Sequence, residues 1–247
     1  DKTEYPDKRI EEMCLSTRRI GLGVMGYADM LSALKIPYNS SAAVHIGEKI
    51  AEFINREAEM MSIELGHKKG QFPAIHQSIY RDGRRNAAVT CVAPTGTISL
   101  LANCSAGIEP HFFREYERTS AEGYKITVRV TGLDGLSEEE AKLYFPTAHE
   151  IAPEWHIRHQ AVWTRHVSNS ISKTINLPHE ATVEDVENAY LTAYRLGCIC
   201  ITVFRDGCKE EQVIVEKKHK CQNCGSTELI TESTCQTCLS CGASSCA

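Results

Sequence analysis

The chain has 247 residues, enough for one large domain and an appendage, and its 42% hydrophobic and 24% charged content is that of an ordinary soluble globule. A net charge of -5 leaves no basic excess to neutralise phosphates, which excludes an unspecific nucleic-acid surface, and no stretch approaches the ~20 apolar residues of a membrane span. Twelve cysteines are the compositional outlier, and no signal-like segment accompanies them, so reduced or metal-bound thiols in a cytoplasmic protein are expected.

Residues 1–19 are polar, helix-like around Ile10 to Leu15, and begin abruptly with neither an initiator Met nor a targeting pattern, as a chain cut at its N-terminus would. Gly21 to Gly26 read GLGVMG and match G-x-G-x-x-G, but Ser16, Thr17, Arg18 and Arg19 stand where a dinucleotide site needs a buried strand. These glycines are read as close packing at a strand-to-helix passage, with the helix over Tyr27 to Leu34. Ser40 or Ser41 caps a long helix whose stripe Ile46, Ile50, Phe53, Ile54, Ala58, Met61 and Leu65 is predicted to be buried, with Gly66 closing it.

Ala87 to Ala93 is short and apolar, as a buried strand should be, and runs into Pro94-Thr95-Gly96-Thr97-Ile98-Ser99 before a helix start at Leu100. Small hydroxyls and backbone N–H groups around a flexible glycine suit a phosphate, although an ordinary capped turn has the same letters and the Gly-Lys-Ser/Thr ending of an ATP-binding loop is missing. Tyr124, Ile126, Val128 and Val130 alternate as a strand, Ser137 opens a helix, and another helix covers Glu154 to Ser168. His156 and His159 share a face of that helix, and packing accounts for them better than metal binding. Ile171 to Leu177 reads as a strand, Thr182 with Asp185 as a capping box for Val183 to Leu196, and Cys198 to Phe204 as a second strand. This β-α-β unit implies parallel neighbours and an α/β core.

Residues 208–220 are charged and weakly patterned, as a tether is. Six cysteines then crowd the last 27 residues. Paired Cys-x-x-Cys hooks allow two tetrahedral zinc sets, Cys221, Cys224, Cys235 and Cys238 or Cys221, Cys224, Cys238 and Cys241. Either would supply folding energy that so short a segment cannot draw from a core. The first leaves Cys241 and Cys246 as a terminal dithiol; the second leaves Cys235 and Cys246. The second remainder is the less natural pair, but the glycines after Cys224 and Cys241 resemble paired zinc knuckles and keep the second set open.

Three segments together, 18–31 (RRIGLGVMGYADML), 93–110 (APTGTISLLANCSAGIEP) and 172–207 (SKTINLPHEATVEDVENAYLTAYRLGCICITVFRDG), resemble the C-terminal part of the catalytic chain of ribonucleotide reductase, and the cysteine-rich end is most similar to the adenosylcobalamin-dependent class. The resemblance implies that residues 1–207 form the later part of a ten-stranded α/β barrel, with 208–220 a linker and 221–247 a zinc-ribbon-like redox tail. It also implies that Thr95, Gly96, Thr97, Ile98 and Ser99 hold the phosphates of a ribonucleoside di- or triphosphate, and that Cys241 and Cys246 re-reduce an active-site disulfide and are themselves reduced by thioredoxin or glutaredoxin. On that assignment Cys221, Cys224, Cys235 and Cys238 bind the zinc.

The family's Asn-x-Cys-x-Glu radical loop does not occur in the sequence, and the resemblance places it upstream. The expectation is therefore a piece that is inactive without the N-terminal part of the same reductase, with Cys91 and Cys104 as structural thiols. The competing expectation is a non-catalytic zinc-ribbon module from a decayed reductase, docking a partner or a nucleic acid.

Overall fold

The computed structural model describes residues 3–119, 125–208, 214–216, 223–226, 229–232 and 235–246. These fall into two compact units, one of residues 1–114 with 130–210 and the other of 115–129 with 211–247.

In the first unit, helix α1 (Lys8–Thr17) starts where the Asp7 carboxylate accepts from the Arg9 amide, and α2 (Tyr27–Ala33) starts at Gly26, whose φ of +76° suits a residue without Cβ. Between them Leu22 bridges Thr90 in parallel, Val92 bridges Ile171 in parallel, and strand β3 (Thr174–Leu177) pairs in parallel with β4 (Thr202–Arg205). The expected strands are thus present as a parallel array of four extended segments, with only β3 and β4 long enough to form a continuous ladder. Added Cβ atoms at Gly21 and Gly23 would lie 2.4 Å from the Cys91 Sγ and 2.2 Å from the Cys91 carbonyl oxygen, so the first glycines of GLGVMG serve close packing.

Helix α3 (Ser41–Lys69) begins as expected, with the Ser40 hydroxyl accepting from the Ala43 amide, but it runs through Gly66 and stops at Gly70, φ +84°. Its buried face also differs from the expected one. Ala43, Gly47, Ala51, Ser62 and Gly66 are buried, while Phe53 is 55% and Met61 51% exposed. The reason is distance: a Cβ on Gly47 would sit 2.6 Å from the Tyr27 hydroxyl, and one on Gly66 1.9 Å from the Gly83 carbonyl. Only small residues permit that approach, so size rather than hydropathy selects the inner face.

Helix α4 (Ile98–Leu101) follows the Pro94 loop, α5 (Glu138–Tyr144) carries the capping box of Ser137 and Glu140, and α6 (Pro153–Thr164) is buried from His156 to Trp163 except at Arg158. Helix α7 (Val183–Arg195) has the expected capping box of Thr182 and Asp185 and lies between β3 and β4 in the chain, completing the β-α-β unit. The main core joins Tyr27, Leu31, Tyr38, Val92, Trp163 and Ile171, with Tyr27 edge-on to both Tyr38 and Trp163. A smaller cluster seats Ile175 between Ile157 and the Ala189 and Ala193 face of α7. None of the described helices is long and apolar enough to cross a membrane.

The second unit holds two antiparallel sheets. In one, β1 (Glu115–Thr119) lies between β2 (Lys125–Arg129) and β5 (Ile214–Glu216); in the other, β7 (Cys235–Cys238) lies between β6 (Leu229–Glu232) and β8 (Ser244–Cys246). The expected tether over 208–220 therefore contains a strand, and the hairpin at 115–129 groups with the tail.

Candidate functional site: a hydroxyl loop beside a trough, and a thiol cluster in the tail

The loop 94–99 is held from both ends. The Thr95 hydroxyl oxygen accepts from the Gly107 amide at 2.8 Å, the Ser99 amide donates to the Thr95 carbonyl at 2.9 Å, and the Cys104 amide donates to the Ser99 carbonyl at 3.0 Å. Thr95 adopts φ +50°, an uncommon conformation for a β-branched residue, which these bonds hold in place. Ser99 is buried and its hydroxyl turns back to the Gly96 carbonyl at 3.3 Å, whereas Thr97 and Ile98 are exposed. The five expected residues thus divide into scaffold (Thr95, Ser99), an outward pair (Thr97, Ile98) and the glycine between them. Pro94 also lies on the wall of an open trough of about 860 Å³ whose lining includes Arg19, Cys91, Ser168, Ser172 and Cys200.

Behind this surface lies a polar cluster that local spacing does not reveal. Lys173, with a side chain 0% exposed, donates to the Glu109 carboxylate at 2.5 Å, the Thr174 carbonyl at 2.6 Å and His156 Nδ1 at 2.9 Å. The second Glu109 oxygen accepts from the Thr174 amide at 2.6 Å, so this one carboxylate latches the 104–111 segment to β3. Because His156 Nδ1 accepts from an ammonium, Nε2 carries the proton and donates to the Ala148 carbonyl. Burial, joined by the Lys173 charge, pushes His156 well below the usual imidazole range. Burial likewise takes His159 down to about 4, its Nε2 facing the Tyr38 carbonyl at 2.8 Å. Both histidines are packing groups. Burial raises the Cys104 thiol and pushes Cys198 up to about 11, so neither behaves as a nucleophile near neutrality.

In the tail, the sulfur atoms of Cys224, Cys238 and Cys241 all lie within 4.8 Å of one another, and those of Cys224 and Cys238 are 3.6 Å apart. Zinc–thiolate bonds of about 2.3 Å in a tetrahedron put sulfur atoms about 3.8 Å apart, so the trio fits that metal. Gly225 and Gly242, which follow two of these cysteines, have φ of +75° and +72°, the turn that a knuckle closes on its metal. Burial raises the Cys238 thiol, but amide donors of Cys241 and Ser240 and the Cys224 thiol outweigh it and hold the group below its ordinary range. Cys221 lies outside the described residues, and Cys235 and Cys246 are described by backbone alone, as Cα partners across β7 and β8. Among the described side chains, Cys241, expected as half of a mobile dithiol, lies beside Cys224 and Cys238, a trio shared with the second of the two expected sets.

The family described as ribonucleotide reductase, barrel domain, matches residues 1–84 and 73–204. A vitamin B12-dependent ribonucleoside-diphosphate reductase of Thermoplasma acidophilum is 41% identical over 242 residues, covering 87% of this chain and 32% of its own length. A protein of the same description from Mycobacterium tuberculosis is 42% identical over 241 residues, covering 87% of this chain and 35% of its own. In fold, the chain is similar to the α subunit of the Actinobacillus ureae class Id ribonucleotide reductase, with a TM-score of 0.64 at 23% identity over 79% of this chain and 40% of that one. The chain spans about a third of the length of the relatives it matches. With a family match running almost unbroken from the first residue to β4, the chain belongs to the ribonucleotide reductase family, within its barrel domain.

Proposed function

We propose that the chain is the C-terminal part of a B12-dependent ribonucleoside-diphosphate reductase. It would contribute the later strands and helices of a ten-stranded barrel, a phosphate-holding loop and a zinc-ribbon redox tail. The observation that carries this reading is the 41% identity to a reductase of that description across 87% of the chain. The loop supports it: Thr97 presents its hydroxyl at an exposed position next to the Ile98 amide, and Thr95 and Ser99 fix their frame. A diphosphate seated there would leave the nucleoside over the trough that starts at Pro94. A decayed docking module would need neither the braced loop nor the trough.

Adenosylcobalamin would supply radical initiation in the assembled enzyme. His111, His156 and His159 are buried in hydrogen bonds to Ser32, Ala148 and Tyr38, and the trough lining contains no imidazole. The cofactor is assigned with the N-terminal part of the reductase, and thioredoxin or glutaredoxin is the expected reductant of the tail. In this chain the work is positional: the loop binds phosphate, the Glu109–Lys173 latch holds the 104–111 segment behind it, and the tail carries thiols.

The test is a chimera in which residues 1–247 replace the matching segment of the Thermoplasma relative, assayed for cytidine diphosphate reduction with adenosylcobalamin. Turnover is expected. A folded chimera that binds cobalamin but reduces no nucleotide would overturn the reading.

A further inference from the structure

Hydrogen bonds between segments distant in sequence close a ring around the base of the loop 94–99. The Ser172 amide donates to the Val92 carbonyl at 2.8 Å, which ties the strand leading into the loop to the segment entering β3. Next along the chain, the Lys173 ammonium donates to one Glu109 carboxylate oxygen at 2.5 Å and the Thr174 amide to the other at 2.6 Å. From Glu109 the ring returns through Gly107, whose amide donates to the Thr95 hydroxyl oxygen at 2.8 Å, and Thr95 leads back through Pro94 to Val92. Gly107 is pressed against the start of the loop: at its φ of +49°, an added Cβ would lie 3.1 Å from the Ala93 carbonyl oxygen. The other anchors of the 104–111 segment reach the helical side, where the Ser105 amide donates to the Asp29 carboxylate of α2 at 2.6 Å and the Tyr38 hydroxyl to the Ile108 carbonyl at 2.7 Å. Glu109 makes the tie to β3. Thr95 is the corner of the ring, and its φ of +50° is one that a β-branched residue keeps only where its surroundings fix it.

We propose that Glu109 is a positioning residue for phosphate binding: acting through Gly107, it holds Thr95 in the left-handed conformation, so that the Thr97 hydroxyl and the neighbouring amides meet the ligand already in place. The proposal rests on the phosphate reading of the loop 94–99. Glu109 and its partner act from behind the surface, since the Lys173 side chain is 0% exposed and directs its donors to Glu109, His156 and Thr174. The effect is one of population. If opening the ring leaves the loop in its competent form for roughly a third to a tenth of the time, apparent affinity falls about three- to tenfold with every ligand contact unchanged.

The test is made in the full-length chimera with Glu109→Ala combined with Lys173→Met, which opens the ring without stranding an ammonium in the core. The expected result is a KM for cytidine diphosphate about three- to tenfold higher, with the smaller effect on kcat. A lowered kcat at unchanged KM is the signature of lost folded enzyme, and it would overturn the positioning role. Gly66→Ala, destabilised away from the loop, should leave KM unchanged. Thr95→Val, which removes the accepting hydroxyl and keeps the branched side chain, should raise KM as the latch variant does. Combining the two should add little to either, because both break one ring, whereas effects that multiply in full would show that Glu109 does not act through Thr95. Should the latch variant fail to fold, Glu109→Gln takes its place, with hydrogen exchange of the 1–247 chain as a second readout. Faster exchange at the Gly107 amide supports the path, and unchanged exchange there overturns it. The two readings fail separately: a chimera that binds no nucleotide, although Gly107 exchange rises in the variant, would sink the phosphate reading alone. A chimera that reduces the nucleotide, with KM and Gly107 exchange both unmoved in the variant, would sink the role of Glu109 alone.

Discussion

Lys173 keeps its ammonium in full burial because each of its three N–H donors has an acceptor: Glu109, His156 and the Thr174 carbonyl. Removing the negative partner leaves a buried cation with no counter-charge, a change that costs roughly 3–5 kcal/mol in buried pairs. Glu109 is a quarter exposed, so Glu109→Gln is expected at the lower end, about 3 kcal/mol, read as a lowered urea midpoint at unchanged slope. None of this cluster is legible locally, because 64 residues separate Lys173 from Glu109 and each looks like an ordinary surface charge in its own segment. The sequence suggested a phosphate site at the loop 94–99, but not the division of labour inside it, in which Thr95 and Ser99 are bonded within the protein while Thr97 is exposed. Thr97→Ala, in the full-length chimera, should weaken nucleotide binding by about 0.5–1.5 kcal/mol, whereas Ser99→Ala, a buried hydroxyl bonded to the loop itself, should act on loop stability before affinity. Isothermal titration with cytidine diphosphate distinguishes them, and equal losses would show that Ser99 reaches the ligand.

Helices were read from the sequence where local chemistry decides them. Thr182 with Asp185 and Ser137 with Glu140 form capping boxes, and both helices start at the residue these caps dictate. The inner face of α3 was misread because apolar periodicity was taken to mark burial, while the neighbours Tyr27 and Gly83 come too near for large side chains. Gly66→Ala sets two effects against each other. Alanine gains about 1 kcal/mol in helix propensity, but its methyl would meet a backbone carbonyl that cannot swing aside, and overpacking of this kind costs about 1–3 kcal/mol. A net loss of stability is expected in chemical denaturation, and a net gain would refute the close approach. Strand pairing in the second unit was illegible for another reason: Tyr116 faces Glu216, and no local pattern announces a partner 100 residues away.

At the scale of the whole molecule, the α/β class and the β-α-β unit followed from period and length, while the partition into units did not, since a hairpin and a stretch read as a tether share a sheet. Acid should act on the first unit through its buried imidazoles. His159 titrates at about 4 when folded and near 6.5 when unfolded, so below pH 6.5 the unfolded chain takes up the proton first. The stability contributed by keeping it neutral is complete above pH 6.5 and is lost progressively as pH falls towards 4. The expected loss is about 2 kcal/mol at pH 5, with His156 acting in the same direction. Urea unfolding at pH 7 and pH 5 measures it, and His159→Gln should flatten the difference.

The two glycines packed on Cys91 carry different evolutionary freedoms. At Gly21 the obstacle to a side chain is the Cys91 sulfur, so a larger residue can be inherited there once position 91 has become small; the two sites can trade volume in either order only through a damaged intermediate or through the small-small pair. At Gly23 the obstacle is the Cys91 carbonyl, which every residue at position 91 possesses, so no second substitution compensates. A library randomising positions 21, 23 and 91 together should therefore return co-varying solutions at 21 and 91, and glycine alone at 23.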